Sequence, residues 1–106
     1  MYTIFPNSLL LVQPDHMSFF TVNPLAPEET AIHGYTLLRE LPKTARAEAY
    51  WEKNIAILHA AIEEDLERGG SIQSGLASGA NEHFTFGRYE QSLTWFHDTI
   101  AAEIGG

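Results

Sequence analysis

An apolar stripe at helical spacing runs through Trp51, Ile55, Leu58 and Ile62, and its next position is a carboxylate, Asp65. Steps of four, three, four and three residues put all five side chains on one face of an α-helix. Burying an unpaired carboxylate costs several kcal/mol even after relaxation. Two readings follow. Either something sits opposite Asp65 (a cation, a cluster of donors, water or a metal), or the helix frays at Gly69-Gly70 and Asp65 reaches solvent.

The stripe belongs to a second half that reads as helical. Pro42 closes what precedes it, Thr44 is placed to cap, and a stretch rich in Ala, Glu and Leu runs to about Arg68. Gly69-Gly70 is read as an interruption, with a short helical turn over 71–76 and a loop over 77–81. A last helix is predicted from about Arg88, with Tyr89, Leu93, Phe96 and Ile100 on one face and Gly105-Gly106 at its end. The first half reads as strands. Residues 8–12 are an apolar run ended by Pro14-Asp15, and 17–22 are aromatic and β-branched up to Asn23-Pro24. Residues 30–39 alternate, with Ala31, His33, Tyr35 and Leu37 on one face and Ile32, Gly34, Thr36 and Leu38 on the other. Three strands on short Pro-containing links predict an antiparallel meander, and the chain is predicted to be α+β, one domain over 1–106. A free three-stranded sheet leaves two edges, which proteins pair, cover or blunt. That points to strands supplied by another copy or another protein.

Bulk properties narrow the function. The chain has 106 residues, 44% of them hydrophobic, enough for a core. Fourteen acidic against six basic residues give a formal net charge of -8. The basic residues are scattered, which argues against nucleic acid and against an anionic membrane. There are no cysteines, so this chain has no disulfide, thiolate zinc site, Cys nucleophile or Cys-ligated iron–sulfur cluster. The pattern leads us to expect neither a secretory leader nor a membrane span, and a cytoplasmic location.

Most chemical motifs are missing. The five histidines, His16, His33, His59, His83 and His97, form no closely spaced metal-binding pair. His59 and Asp65 lie about 240° apart around a helix and cannot chelate one ion from it. No nucleophile elbow occurs, no base is marked beside Ser74 or Ser78, and Gly69-Gly70 lacks the context of a phosphate loop. Glu63-Glu64 read as solvated surface. Gln73, eight residues past Asp65, is placed either to hydrogen-bond a ligand or backbone, or to face solvent.

Several segments together resemble one family. Glu64-Asp65, Gln73-Ser74-Gly75-Leu76, Phe86-Gly87-Arg88-Tyr89-Glu90 and Trp95-Phe96-His97 are similar to the C-terminal end of Rieske-type ring-hydroxylating oxygenase α subunits. Upstream, Ile4-Phe5-Pro6-Asn7 and residues 24–30 resemble strand segments of the same catalytic domain. The resemblance implies a partial helix-grip (START-like) domain, a curved antiparallel sheet against a long helix. It implies that Asp65 is the carboxylate of a two-histidine, one-carboxylate non-haem iron site, with Gln73 lining or bracing that site.

The departures matter as much. None of the five histidines stands in the family's His-ligand motif, and the two-Cys, two-His Rieske cluster has no counterpart here. The expectation is therefore a C-terminal fragment or split subunit of an oxygenase that hydroxylates or demethylates organic, including aromatic, compounds. It is expected to be inactive alone, to hold Fe(II) only with a partner chain, and to work as a homo-oligomer or with an N-terminal oxygenase chain. The rival expectation is a homodimeric small-molecule-binding or structural module without catalysis.

Overall fold

The computed structural model describes residues 1–105. Gly106, placed at the expected end of the last helix, lies outside the described residues. Four strands, β1 (Tyr2–Ile4), β2 (Ser8–Val12), β3 (His16–Ala26) and β4 (Glu29–Leu38), precede two helices, α1 (Ala45–Ala77) and α2 (Gln91–Glu103). The chain is α+β, with the sheet an antiparallel meander in the order β1-β2-β3-β4. The added strand, β1, pairs with β2 through only three residues, too short a run to carry an alternating signal. β3 continues through Asn23-Pro24, where the sequence pattern places a stop. A register irregularity between Pro24 and Ala26 accommodates the proline before the Pro27-Glu28 turn.

Register sorts the sheet into two faces, because directly opposed residues point the same way. One face carries the rows Val12–Met17–Leu37, Tyr2–Leu10–Phe19–Tyr35 and Ile4–Ser8–Thr21–His33. The other carries Leu11–Ser18–Thr36, Thr3–Leu9–Phe20–Gly34 and Val22–Ile32, with His16 opposite Leu38. On this second face the Phe20 ring lies across Gly34, close enough that a Cβ there would sit 3.0 Å from Cε1.

Both helices lie over this second face. α1 reaches it through Trp51, whose ring meets His16 edge-on at 5.2 Å. α2 reaches its other end through Leu93, Phe96 and Ile100, which share a cleft with Leu9, Val22 and Thr30. The helices touch the sheet lightly. No large apolar side chain among the described residues is fully buried, and the one fully buried side chain is Ser18, 1% exposed, whose hydroxyl has no hydrogen-bond partner. The radius of gyration is 17.1 Å, against about 13 Å for a compact domain of this length. The 53 Å long axis matches a 33-residue helix of about 50 Å.

α1 starts as its sequence dictates: the Thr44 hydroxyl accepts from the Ala47 N–H at 3.1 Å. It does not break at Gly69-Gly70. One helix runs to Ala77 and takes in residues 71–76, followed by Gly79 at φ 67°. Glycine costs a helix about 1 kcal/mol relative to alanine, and the helix-forming residues on both sides outweigh the pair. α2 begins at Gln91, three residues later than the periodicity predicts. The Gly87–Glu90 segment is a turn closed by the Glu90 N–H on the Gly87 carbonyl at 3.0 Å and by the Glu90 carboxylate accepting from the Gly87 N–H. Tyr89, assigned by spacing to the helix face, is 92% exposed and outside the helix.

Candidate functional site

The unbroken α1 changes what surrounds Asp65. Trp51, Ile55, Leu58 and Ile62 are half-buried, as a stripe facing the sheet requires. The same line then passes Asp65, Gly69, Gln73 and Leu76. Asp65 and Gln73 stand roughly 80° apart around the axis and about 12 Å apart along it, with Gly69 between them. Three consecutive stripe positions therefore hold a carboxylate, no side chain and a carboxamide. Nothing lies within 4 Å of where a Gly69 Cβ would be. Asp65 is exposed and Gln73 half-buried. Among the described residues no salt bridge reaches the carboxylate, yet the helix is not frayed.

The histidines are used elsewhere. His16 Nδ1 donates to Asp15 Oδ1 at 2.7 Å, Gln13 Nε2 lies 2.9 Å from its other ring nitrogen, and the Tyr50 hydroxyl reaches Asp15 Oδ2 at 3.4 Å. This clasp ties the β2–β3 turn to the start of α1. The hydrogen bond from His16 is the main cause holding the Asp15 carboxyl below its ordinary value, helped by backbone bonding, the His16 charge and Tyr50 and opposed by partial desolvation. His33 is exposed, 3.3 Å from Asn23 Nδ2, rather than a core residue. His59 is exposed on α1. His97 is stacked with Phe84 and Phe86, at 5.7 and 5.5 Å.

A second feature was not visible in the spacing. The Phe5-Pro6-Asn7 segment between β1 and β2 brings the sheet and α2 together. Phe5 meets Phe96 edge-on at 6.0 Å, Asn7 Nδ2 donates to Asn23 Oδ1 at 3.2 Å, and the Asn7 carbonyl accepts from the Val22 N–H at 2.8 Å. Between them opens a cleft of about 570 Å³ lined by apolar side chains with hydroxyls at Thr3, Ser8, Thr30 and Ser92, and no ionisable side chain lines it. Such a volume and lining suit a small uncharged ligand. Sequence signals exist for each wall separately, but none says that they converge.

A four-stranded antiparallel sheet with both helices on one face, and a carboxylate set in the stripe of the longer helix, defines an α+β module of helix-on-sheet type. The chain belongs to the family described as ring hydroxylating alpha subunit (catalytic domain), whose model matches residues 1–106, the whole chain. No curated protein and no solved structure matches it. Members of this family are oligomeric oxygenase components that use non-haem iron.

Iron of this kind takes two imidazoles and one carboxylate. Among the described residues no three His, Cys, Asp or Glu side chains gather where they would hold a metal ion. The residues of this chain alone do not fit the iron. No helix is long and apolar enough to cross a membrane among the described residues.

Proposed function

We propose that this chain is the carboxylate-bearing, C-terminal part of a Rieske-type non-haem iron oxygenase catalytic domain, inactive alone and completed by a chain that supplies the two histidines and the Rieske cluster. The completed enzyme would hydroxylate or demethylate an organic substrate with dioxygen. Asp65 contributes one carboxylate ligand. Gly69 leaves the space beside it open, and Gln73 supplies a hydrogen-bonding group at the far side of that space. The observation that carries this reading is the polar gap at Asp65, Gly69 and Gln73 in an otherwise apolar stripe, on a chain that matches the family along its whole length.

The test is iron content after anaerobic Fe(II) loading, for this chain alone and co-purified with a candidate partner bearing Cys-x-His, Cys-x-x-His and a histidine pair. Near one iron per chain at the mononuclear site of the complex, lost in Asp65→Ala while complex formation persists, is the expected result. A complex that keeps its mononuclear iron in Asp65→Ala removes Asp65 from the site.

A second reading, a homodimeric binding module without catalysis, is favoured by the uncharged cleft between α2 and the sheet. It requires a stable dimer without iron that is indifferent to Asp65→Asn.

A further inference from the structure

The cleft between α2 and the sheet takes no part in the iron reading, since no residue of α1 lines it. Its volume of about 570 Å³ is far above the water-sized voids of a packed interior. It falls within the roughly 300–1,000 Å³ of pockets that take small organic molecules. Leu9 and Val22 form its floor on the helix-side face of the sheet, and Phe96 and Ile100, one turn apart on α2, form its roof. Phe5 meets Phe96 edge-on at 6.0 Å, and the Asn7 carbonyl accepts from the Val22 N–H at 2.8 Å, so the β1–β2 link ties roof to floor. A cleft braced in this way is preorganised for a ligand.

Charge selects what enters. All six basic residues lie outside the strands and α2: Arg39 and Lys43 in the β4–α1 link, Arg46, Lys53 and Arg68 on α1, and Arg88 in the turn before α2. Lys43 and Arg68 are paired with Glu40 and Glu64, and Arg88 lies over the Tyr89 ring. No cation lines the cleft, so an anion entering it loses hydration without gaining a partner. The formal net charge of -8 opposes an anion further. A cation gains no partner either, because no carboxylate lines the cleft. The walls offer apolar surface together with hydroxyls at Thr3 and Thr30 on the sheet and Ser92 on α2. A hydroxyl both donates and accepts, so it serves a neutral alcohol, amide or ketone alike.

We propose that this cleft binds a neutral, largely apolar organic molecule carrying one or two hydrogen-bonding groups, and that it discriminates against the carboxylate and ammonium forms of the same skeleton. Leu93, on the wall and 43% exposed, keeps that wall uncharged. The site rests on the cleft alone. It is read by ligand binding to the iron-free chain and the Asp65 reading by metal content, so either can fail alone.

The experiment is titration calorimetry on the chain at neutral pH, with phenylbutanol, phenylbutyrate and phenylbutylamine as probes that differ only in the end group. Circular dichroism checks the fold of each variant, and amide NMR shifts locate the bound probe. The alcohol is expected to bind with a Kd of about 1 mM or tighter, and both ions about tenfold more weakly. Leu93→Trp, which fills the cleft, is expected to abolish binding of the alcohol. Leu93→Arg is expected to invert the preference in favour of phenylbutyrate. Should the Leu93 variants fail to fold, Ser92→Arg, at an exposed position of the cleft, carries the inversion. No binding of the alcohol, equal affinity for the three probes, or shifts confined to residues outside the cleft overturns the assignment. So does alcohol binding that a folded Leu93→Trp leaves unchanged.

Discussion

Asp15 and His16 form a hydrogen-bonded pair that reaches another element through a third side chain, Tyr50. Sequence reading sees Pro14-Asp15 only as a turn, because the partner lies 35 residues away on α1. The Asp15 carboxyl is held below 3.8, chiefly by the His16 hydrogen bond. Its contribution is thus in place above the ordinary carboxylate value and is lost as pH falls through the lower folded-state value. Trp51 packs on the His16 ring, so its fluorescence reports the clasp. Acid titration is expected to change Trp51 emission below about pH 4, and Asp15→Asn is expected to remove that step while leaving the neutral-pH spectrum close to the wild type. A step unchanged in Asp15→Asn would place it elsewhere. Asp65 and Gln73 are the opposite case. Both were legible as candidates from spacing, whereas their relation was not, since it depends on the helix continuing between them.

At the scale of elements, β2, β4, the Thr44 cap and the alternation that sorts β4 between two faces follow from the sequence. Failures occur where local signals compete. β1, three residues long, is too short to establish an alternation. The Gly87–Glu90 turn takes Arg88 and Tyr89, which periodicity assigns to α2. Gly69-Gly70 reads as a break, but the pair is embedded in a 33-residue helix whose neighbours favour it. Both glycines face open space, so Gly69→Ala and Gly70→Ala are each expected to stabilise α1 by roughly 0.5–1 kcal/mol, read as a higher urea midpoint. Only position 69 lies on the stripe between Asp65 and Gln73. If that gap admits a metal centre, Gly69→Ala lowers iron uptake of the completed complex, while Gly70→Ala, turned about 100° away, does not. Equal loss in both would point to helix rigidity rather than to the space beside Asp65.

The whole molecule leaves apolar surface unsatisfied. A chain with no fully buried apolar side chain among its described residues gains little from burial by itself, and its α1 extends well past the sheet. Association would add to that stability and make it depend on concentration. For a dimer that unfolds to separate chains, a tenfold dilution removes about 1.4 kcal/mol per dimer, half of it per chain. For a chain of this size that amounts to roughly 3–5 °C in the unfolding midpoint. The midpoint is expected to rise by about that much per tenfold increase in concentration. The slope is expected to vanish in Tyr35→Glu, which puts a charge in the apolar row of the sheet face turned away from both helices, and to persist in Asp65→Ala, on α1. Differential scanning fluorimetry across three decades of concentration reads all three chains at once. A flat midpoint in the wild type would mean that the half-buried layer beneath α1 and α2 suffices alone. A slope kept in Tyr35→Glu would place the association on another surface, such as the unpaired edge of β4.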